Sequence, residues 1–227
     1  MGEAPDQSND ETRGMQMMKE HYSQGDGEMD DLRDMPSGGV LWKASLVLLD
    51  YLERKQADTL KGKRVLELGS GLGHMAVELY RLGAHVVCTE QVAMGALQRL
   101  QTTVAEAPNH SAAGGSISAM ELEWGEAGWT ASTGVAAAAG AGGFDIVVMS
   151  ELVFDESVHE ELLWTLEKSL SPQGTAFSVF LNRPFSMMFF VNLSDAGGFE
   201  VKSVAGEDID MLGMLTTDLH MHIITRV

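Results

Sequence analysis

The chain has 227 residues, the size of one ordinary domain with a tail, and its 44% apolar and 21% charged residues supply a sizeable core and argue against wholesale disorder. Lys and Arg number 15 against 33 Asp and Glu, a formal net charge of −18, which argues against a phosphate-backbone binder and favours basic partners such as a protein segment carrying lysine. The single cysteine, Cys88, forms no intramolecular disulfide and no multi-cysteine metal site, no apolar run is long enough to span a bilayer, and the start MGEAPDQSNDE lacks a basic or apolar leader. The expectation is a soluble cytoplasmic (or nuclear) monomer that binds neither nucleic acid nor membrane.

Residues 1–38 carry ten acids and three bases, a net −7, and read as an acidic flexible extension ending near Pro36-Ser37-Gly38-Gly39, with MQMMKEHY (15–22) as a short helix candidate. From Val40 the text becomes periodic. VLWKASLVLLDYLERK (40–55) predicts a helix with basic residues at its C-terminal end. RVLELGS (64–70) is a short apolar strand entering a glycine-rich turn, and HMAVELYRLG (74–83) is a helix stopped by Gly83. HVVCTE (85–90) is a second strand, residues 92–107 a second helix, and SISAMELEW (116–124) a third strand. GEAGWTASTGVAAAAGAGG (125–143) is low in complexity; alanine favours helix but the interspersed glycines oppose it, so a flexible Ala/Gly loop is expected. FDIVVMSE (144–151) is the clearest strand. Asp155 or Ser157 then caps a helix running to about Leu170, with Ser157 and Glu160 at capping-box spacing. GTAFSVFLN (174–182), EVKSVAG (200–206) and HMHIITRV (220–227) supply three more strands. The alternation implies an α/β domain over residues 39–227, a mostly parallel sheet with helices on both faces.

The chemistry concentrates at Glu67-Leu68-Gly69-Ser70-Gly71-Leu72-Gly73. Between a strand and a helix, these glycines let the backbone turn sharply and approach a ligand, at the strand ends where open α/β sheets bind theirs. Nineteen residues after Gly71, Glu90 closes the second strand, where a carboxylate accepts both hydroxyls of a ribose. A nucleoside-containing cofactor follows. The dinucleotide fingerprint wants a third glycine at position 74, which is His74, and a diphosphate disfavours a nearby carboxylate such as Glu67. S-adenosylmethionine carries a sulfonium and an ammonium, and suits Glu67 better.

E-x-G-x-G after a first strand resembles the first motif of the seven-β-strand methyltransferases. Gly39-Val40-Leu41-Trp42, the ELGSGLG loop, Glu90, Leu122-Glu123-Trp124-Gly125 and Glu151-Leu152-Val153-Phe154 follow in the order of one subgroup. That subgroup is the protein lysine methyltransferases marked by a (D/E)-x-x-(Y/F) motif after the fourth strand. The resemblance covers about five-sixths of the chain, from Gly39 to the C-terminus. It implies a Rossmann-like doubly wound seven-stranded sheet and S-adenosyl-L-methionine as cofactor. It also implies a protein substrate presenting a lysine, translation factors and chaperones being the class that relatives act on. By the same resemblance, Trp42 lies beside the cofactor, and Gly69, Ser70, Gly71 and Gly73 form the loop beneath its methionine portion. Glu90 holds the ribose, Trp124 packs near the adenine and Ser150 lines the pocket. Lys43 after Trp42, Glu90 in place of aspartate, Thr103 in place of asparagine and the long Ala/Gly insertion depart from the family pattern.

Glu151 and Phe154 are the expected catalytic pair. Neutralising a lysine at pH 7 costs roughly 4.6 kcal/mol; Glu151 can receive the ammonium and then orient the amine, with Phe154 walling the channel. A helix-approaching solvated acid is the plainer reading of Glu151. Asn182-Arg183-Pro184-Phe185 superficially resembles the N-P-P-(F/Y) motif of amide- and base-methylating enzymes, but it follows the fifth strand and reads as a strand-to-helix turn. His220 and His222 share a strand face without a further Cys/His cluster, so no metal is expected, and Cys88 reads as a core hydrophobe. A small-molecule N- or O-methyltransferase, a nicotinamide-dependent oxidoreductase and a catalytically silent cofactor-binding module are the alternatives.

Overall fold

A computed structural model describes residues 43–108, 113–209 and 218–227; the acidic segment 1–38 and Trp42 lie outside the described residues. The first described element is helix α1 (Lys43–Leu60), followed by β1 (Arg64–Leu68), α2 (His74–Arg81), β2 (His85–Glu90), α3 (Ala96–Glu106) and β3 (Ser116–Glu121). The second half runs α4 (Glu126–Ala131), α5 (Thr133–Ala139), β4 (Phe144–Ser150), α6 (His159–Ser169), β5 (Leu170–Leu181) and α7 (Ser186–Asp195). It closes with β6 (Phe199–Ser203), the one-turn helix α8 (Gly206–Ile209) and β7 (Leu219–Arg226).

The strands form one seven-stranded sheet in the order β3-β2-β1-β4-β5-β7-β6. Neighbours from β3 to β5 pair in parallel, and β7 pairs antiparallel with both β5 and β6. The expected doubly wound, mostly parallel sheet is the observed one. Alternation along each central strand sends side chains into two separate cores, as the period of two requires. Val65, Ile146, Val148, Phe177 and Val179 join Leu48, Leu52, Leu79 and Leu100 beneath α1, α2 and α3. Leu66, Leu68, Val147, Met149 and Phe180 join Trp129, Val135, Leu162, Leu166 and Phe189 beneath α4 to α7. Each such side chain contributes about 1.5–3 kcal/mol by leaving water.

Three local expectations are corrected. Residues 125–143 contain α4 and α5 rather than a flexible loop, because Trp129, Val135 and Ala139 are buried in the second core and packing overrides the glycines. The helix expected over 92–107 breaks near its start: a 3₁₀ turn spans Ala93–Gly95 with Met94 at φ 53°, and Gly95 at φ 72° starts α3. Before α6, Asp155 caps a 3₁₀ turn over Glu156–Val158, its carboxylate accepting the Ser157 N–H at 3.0 Å and the Ser157 hydroxyl at 2.7 Å. Helix α6 itself follows Val158 without a side-chain cap, so the Ser157–Glu160 box does not form.

Candidate active site

The carboxyl ends of β1, β2 and β4 lie side by side, and the loops leaving them build the site. Beyond β1 the chain turns through Gly69 at φ 58° and Gly71 at φ 56°, left-handed values that glycine adopts without strain. At Gly69 space also demands glycine: a Cβ would lie 2.7 Å from Leu152 Cδ2 and 3.6 Å from Trp124 Cζ2. The loop is stapled to β2 by the Ser70 N–H on the Thr89 carbonyl (2.8 Å), the Thr89 N–H on Ser70 Oγ (3.1 Å) and the Thr89 hydroxyl on the Glu67 carbonyl (2.8 Å). Sequence reasoning misses Thr89, because hydroxyl staples between adjacent strands leave no spacing pattern.

Glu90 stands at the end of β2, nearly buried. Its Oε2 accepts the Gly71 N–H and its Oε1 the Gln91 N–H, each at 2.9 Å. Each oxygen keeps a second lone pair, so the carboxylate that shapes the loop can also take a diol. Glu67, two residues before Gly69, is buried under the loop with Oε2 lacking any partner. Burial pushes its carboxyl up to about 8, opposed by hydrogen bonds from Ser70 and the Ala76 backbone and reinforced by the nearby Glu90 charge. Gly73, expected in the cofactor loop, stands at φ 78° where α2 begins, and a Cβ there would meet Leu100 Cδ1 of α3 at 2.5 Å. It serves the close approach of two helices.

Ser150 ends β4 with its hydroxyl 2.9 Å from that of Ser45 on α1. Glu151 follows at φ 58°, a strained conformation for a residue with a side chain and one that clusters at functional sites. Its backbone N–H donates to the Val179 carbonyl at 2.9 Å. The side chain is 4% exposed, which overturns the solvated-acid reading. Oε1 accepts the Leu181 N–H at 2.9 Å, and Oε2 accepts Arg183 Nη1 at 2.8 Å. The Arg183 guanidinium carbon also stands 5.7 Å from the centroid of the Phe154 ring, which is 48% exposed. The segment 182–185 is the strand-to-helix turn expected between β5 and α7, but its Arg183 enters the site. Sequence reasoning misses it, because the contact depends on β4 and β5 being parallel neighbours, whose following residues meet.

His220 and His222 both stack on the Phe180 ring; His222 is buried, its ring 4.3 Å from that of Phe190, and burial holds its pKa down at about 4. No cluster of three metal-ligating side chains occurs among the described residues. Cys88 is buried, its thiol donates to the Ser118 carbonyl at 3.2 Å, and burial pushes its pKa up. No described helix is long and apolar enough to cross a membrane.

Comparison with known proteins extends this picture. The chain is 31% identical over 182 residues to the protein N-terminal and lysine N-methyltransferase EFM7 of Yarrowia lipolytica, covering 72% of this chain and 65% of that one. It is 34% identical over 137 residues to the protein N-lysine methyltransferase METTL21A of Danio rerio, covering 60% and 57% respectively. It thus spans less than two thirds of the length of either relative. Among solved structures, a methyltransferase from Pyrococcus furiosus superposes with a TM-score of 0.59 at 13% identity, over 94% of this chain and 97% of that one, a likeness of fold. A family model described as lysine methyltransferase matches residues 29–195, and the chain belongs to that family.

Proposed function

We propose that the chain is a protein-lysine N-methyltransferase that takes its methyl group from S-adenosylmethionine, with a translation factor or chaperone as the class of substrate. The observation that carries this reading is the buried Glu151 carboxylate at the end of β4, which shares the Arg183 guanidinium with the Phe154 ring and is followed by Leu152 packed against Gly69 of the glycine loop. The loop residues fit the cofactor: Glu67 Oε2 is a buried acceptor without a partner, Glu90 offers two carboxylate oxygens, and Trp124 flanks the close-approach glycine Gly69. On this reading Glu90 holds the ribose, Trp124 faces the adenine, Gly69, Ser70 and Gly71 lie beneath the methionine portion, and Ser150 lines the pocket.

When bound, S-adenosylmethionine supplies an activated methyl group that passes in line to an amine nitrogen as the carbon–sulfur bond breaks. The chain's own task is to bring that amine up, orient its lone pair and exclude water. Glu151 takes the arriving ammonium, and Phe154 walls its path and offers a cation–π face. A carboxylate alone favours the charged amine, so burial and the neighbouring positive charge must drive the proton off. A protein substrate agrees with the surface around this corner: Phe154, Phe185, Met187, Met188 and Val191 are all exposed large apolar side chains on the rim or the adjoining α7. Such a patch suits a macromolecular partner more than a small polar one.

The test is radiolabelled methyl transfer into a cell extract sorted by mass, followed by variants on the labelled protein. Glu151→Gln is expected to keep cofactor affinity within a few-fold while single-turnover rate falls by about a hundredfold or more, the scale of a lost positioned polar group. Phe154→Ala is expected to behave likewise, and Phe154→Tyr to be tolerated. Normal turnover in Glu151→Gln sinks the assignment.

A further inference from the structure

The corner that receives the substrate amine in the proposed function already holds a cation. We infer that Arg183 is an internal stand-in for the substrate lysine: its guanidinium occupies the cation site formed by Glu151 and Phe154, and a lysine side chain binds by displacing it. This rests on the protein-lysine methyltransferase reading. The site it describes is nevertheless defined by geometry alone.

An ammonium site needs an acceptor of negative charge and, beside it, a weakly polar wall. Both are present and both are taken up by one side chain: Arg183 Nη1 donates to Glu151 Oε2 at 2.8 Å, and the guanidinium carbon lies 5.7 Å from the Phe154 ring centroid. The two partners differ in how firmly they are held. The Glu151 side chain is 4% exposed, whereas that of Arg183 is 36% exposed. Glu151 is oriented without the arginine, by the Leu181 N–H on Oε1 at 2.9 Å and by its own backbone N–H on the Val179 carbonyl. A role for Arg183 in merely aiming the carboxylate is therefore redundant.

The backbone of the turn is pinned: the Asn182 N–H donates to the Asp218 carbonyl at 2.6 Å, the Ser186 N–H to the Arg183 carbonyl at 3.1 Å, and the Arg183 N–H to Ser186 Oγ at 3.2 Å. The movable part is thus the side chain, whose head reaches water by rotation about its own stem. Removing a cation from a buried carboxylate is costly only if nothing replaces it. A substrate ammonium replaces it charge for charge, keeping Oε2 paired. In the absence of substrate, Arg183 keeps Glu151 Oε2 paired. It also makes the site selective, because a ligand must bring its own positive charge to take the place.

The test titrates the full chain with n-butylammonium chloride, which has the charge and stem of a lysine side chain, and follows the Arg183 Nε–H resonance by NMR. In the wild type the expected result is saturable binding that moves this resonance toward the position of a solvated arginine. In Arg183→Gln the apparent dissociation constant, read on the Phe154 ring signals, is expected to fall about threefold or more, since the competing occupant is gone. Arg183→Lys restores the wild-type value, and Glu151→Gln abolishes saturable binding. Melting temperature and S-adenosylmethionine affinity serve as folding controls. If Arg183→Gln does not fold, the wild-type resonance and Arg183→Lys decide. Binding that leaves the Arg183 resonance in place, or that is unchanged or weaker in Arg183→Gln, overturns the inference. A wild-type protein that transfers no methyl group to any protein refutes the enzymatic reading, while the amine titration remains readable.

Discussion

Two carboxylates of the loop region illustrate how burial assigns roles that residue type does not. Glu67 and Glu90 both sit at strand ends, yet Glu90 accepts two backbone N–H groups while one oxygen of Glu67 has no partner. Desolvation raises the Glu67 carboxyl to about 8 from its ordinary 4.5. The folded chain therefore holds a proton that the unfolded chain releases between those values. The stability this provides is full below about pH 4.5 and is lost as pH rises through about 8. Thermal melts of the cofactor-free protein are expected to show a falling melting temperature over that window, and Glu67→Gln, neutral at every pH, to flatten it. A wild-type curve as flat as the variant's would place Glu67 in contact with solvent. For Glu90, replacement by alanine is expected to weaken S-adenosylmethionine binding by about 1.5–3 kcal/mol, the scale of hydrogen bonds to a charged group. Calorimetry reads this directly, and an unchanged dissociation constant removes Glu90 from the site. Both acids are legible in the sequence because motif spacing fixes them to strand ends. Arg183 is not, because its partnership with Glu151 spans 32 residues and depends on the pairing of β4 with β5.

At the level of elements, legibility follows the hydrophobic period. The strands at 64, 85, 144 and 220 are rich in apolar and β-branched residues, and each lies within a residue or two of its expected limits. The segment 125–143 differs because its composition balances alanine against glycine, so local propensity favours neither helix nor loop and three apolar side chains tip the balance. Trp129 is 6% exposed, stands at 67° to Trp164 with ring centroids 6.5 Å apart, and anchors α4 on the second core. Trp129→Ala is expected to cost about 3–5 kcal/mol in urea unfolding, as for other buried aromatic truncations. A flexible loop would give a change near zero. The insertion thus lengthens the cover over the sheet, and Leu122 and Trp124, just before it, are delivered to the loop side of β1 by a packed element.

The whole chain carries −18, and its acidity is unevenly placed along the sequence. Family resemblance begins at residue 29, so residues 1–28, with seven acids and two bases, contribute −5 from outside the matched region. Net negative charge accelerates the approach of a basic partner without contributing to the chemical step, and its reach shrinks to about 10 Å at 0.1 M salt. Deleting residues 1–28 is therefore expected to leave kcat unchanged and to lower kcat/KM several-fold for a basic protein substrate at low ionic strength. The two forms should converge near about 0.5 M salt, where screening removes the difference. A loss of kcat in the shortened chain would instead tie those residues to the catalytic corner, and identical kcat/KM values at every salt concentration would assign the steering to the remaining −13. At the corner itself the Glu151 charge is matched by that of Arg183. Attraction over distance and selection at the site are then carried by different residues, and the salt series separates the first from the second.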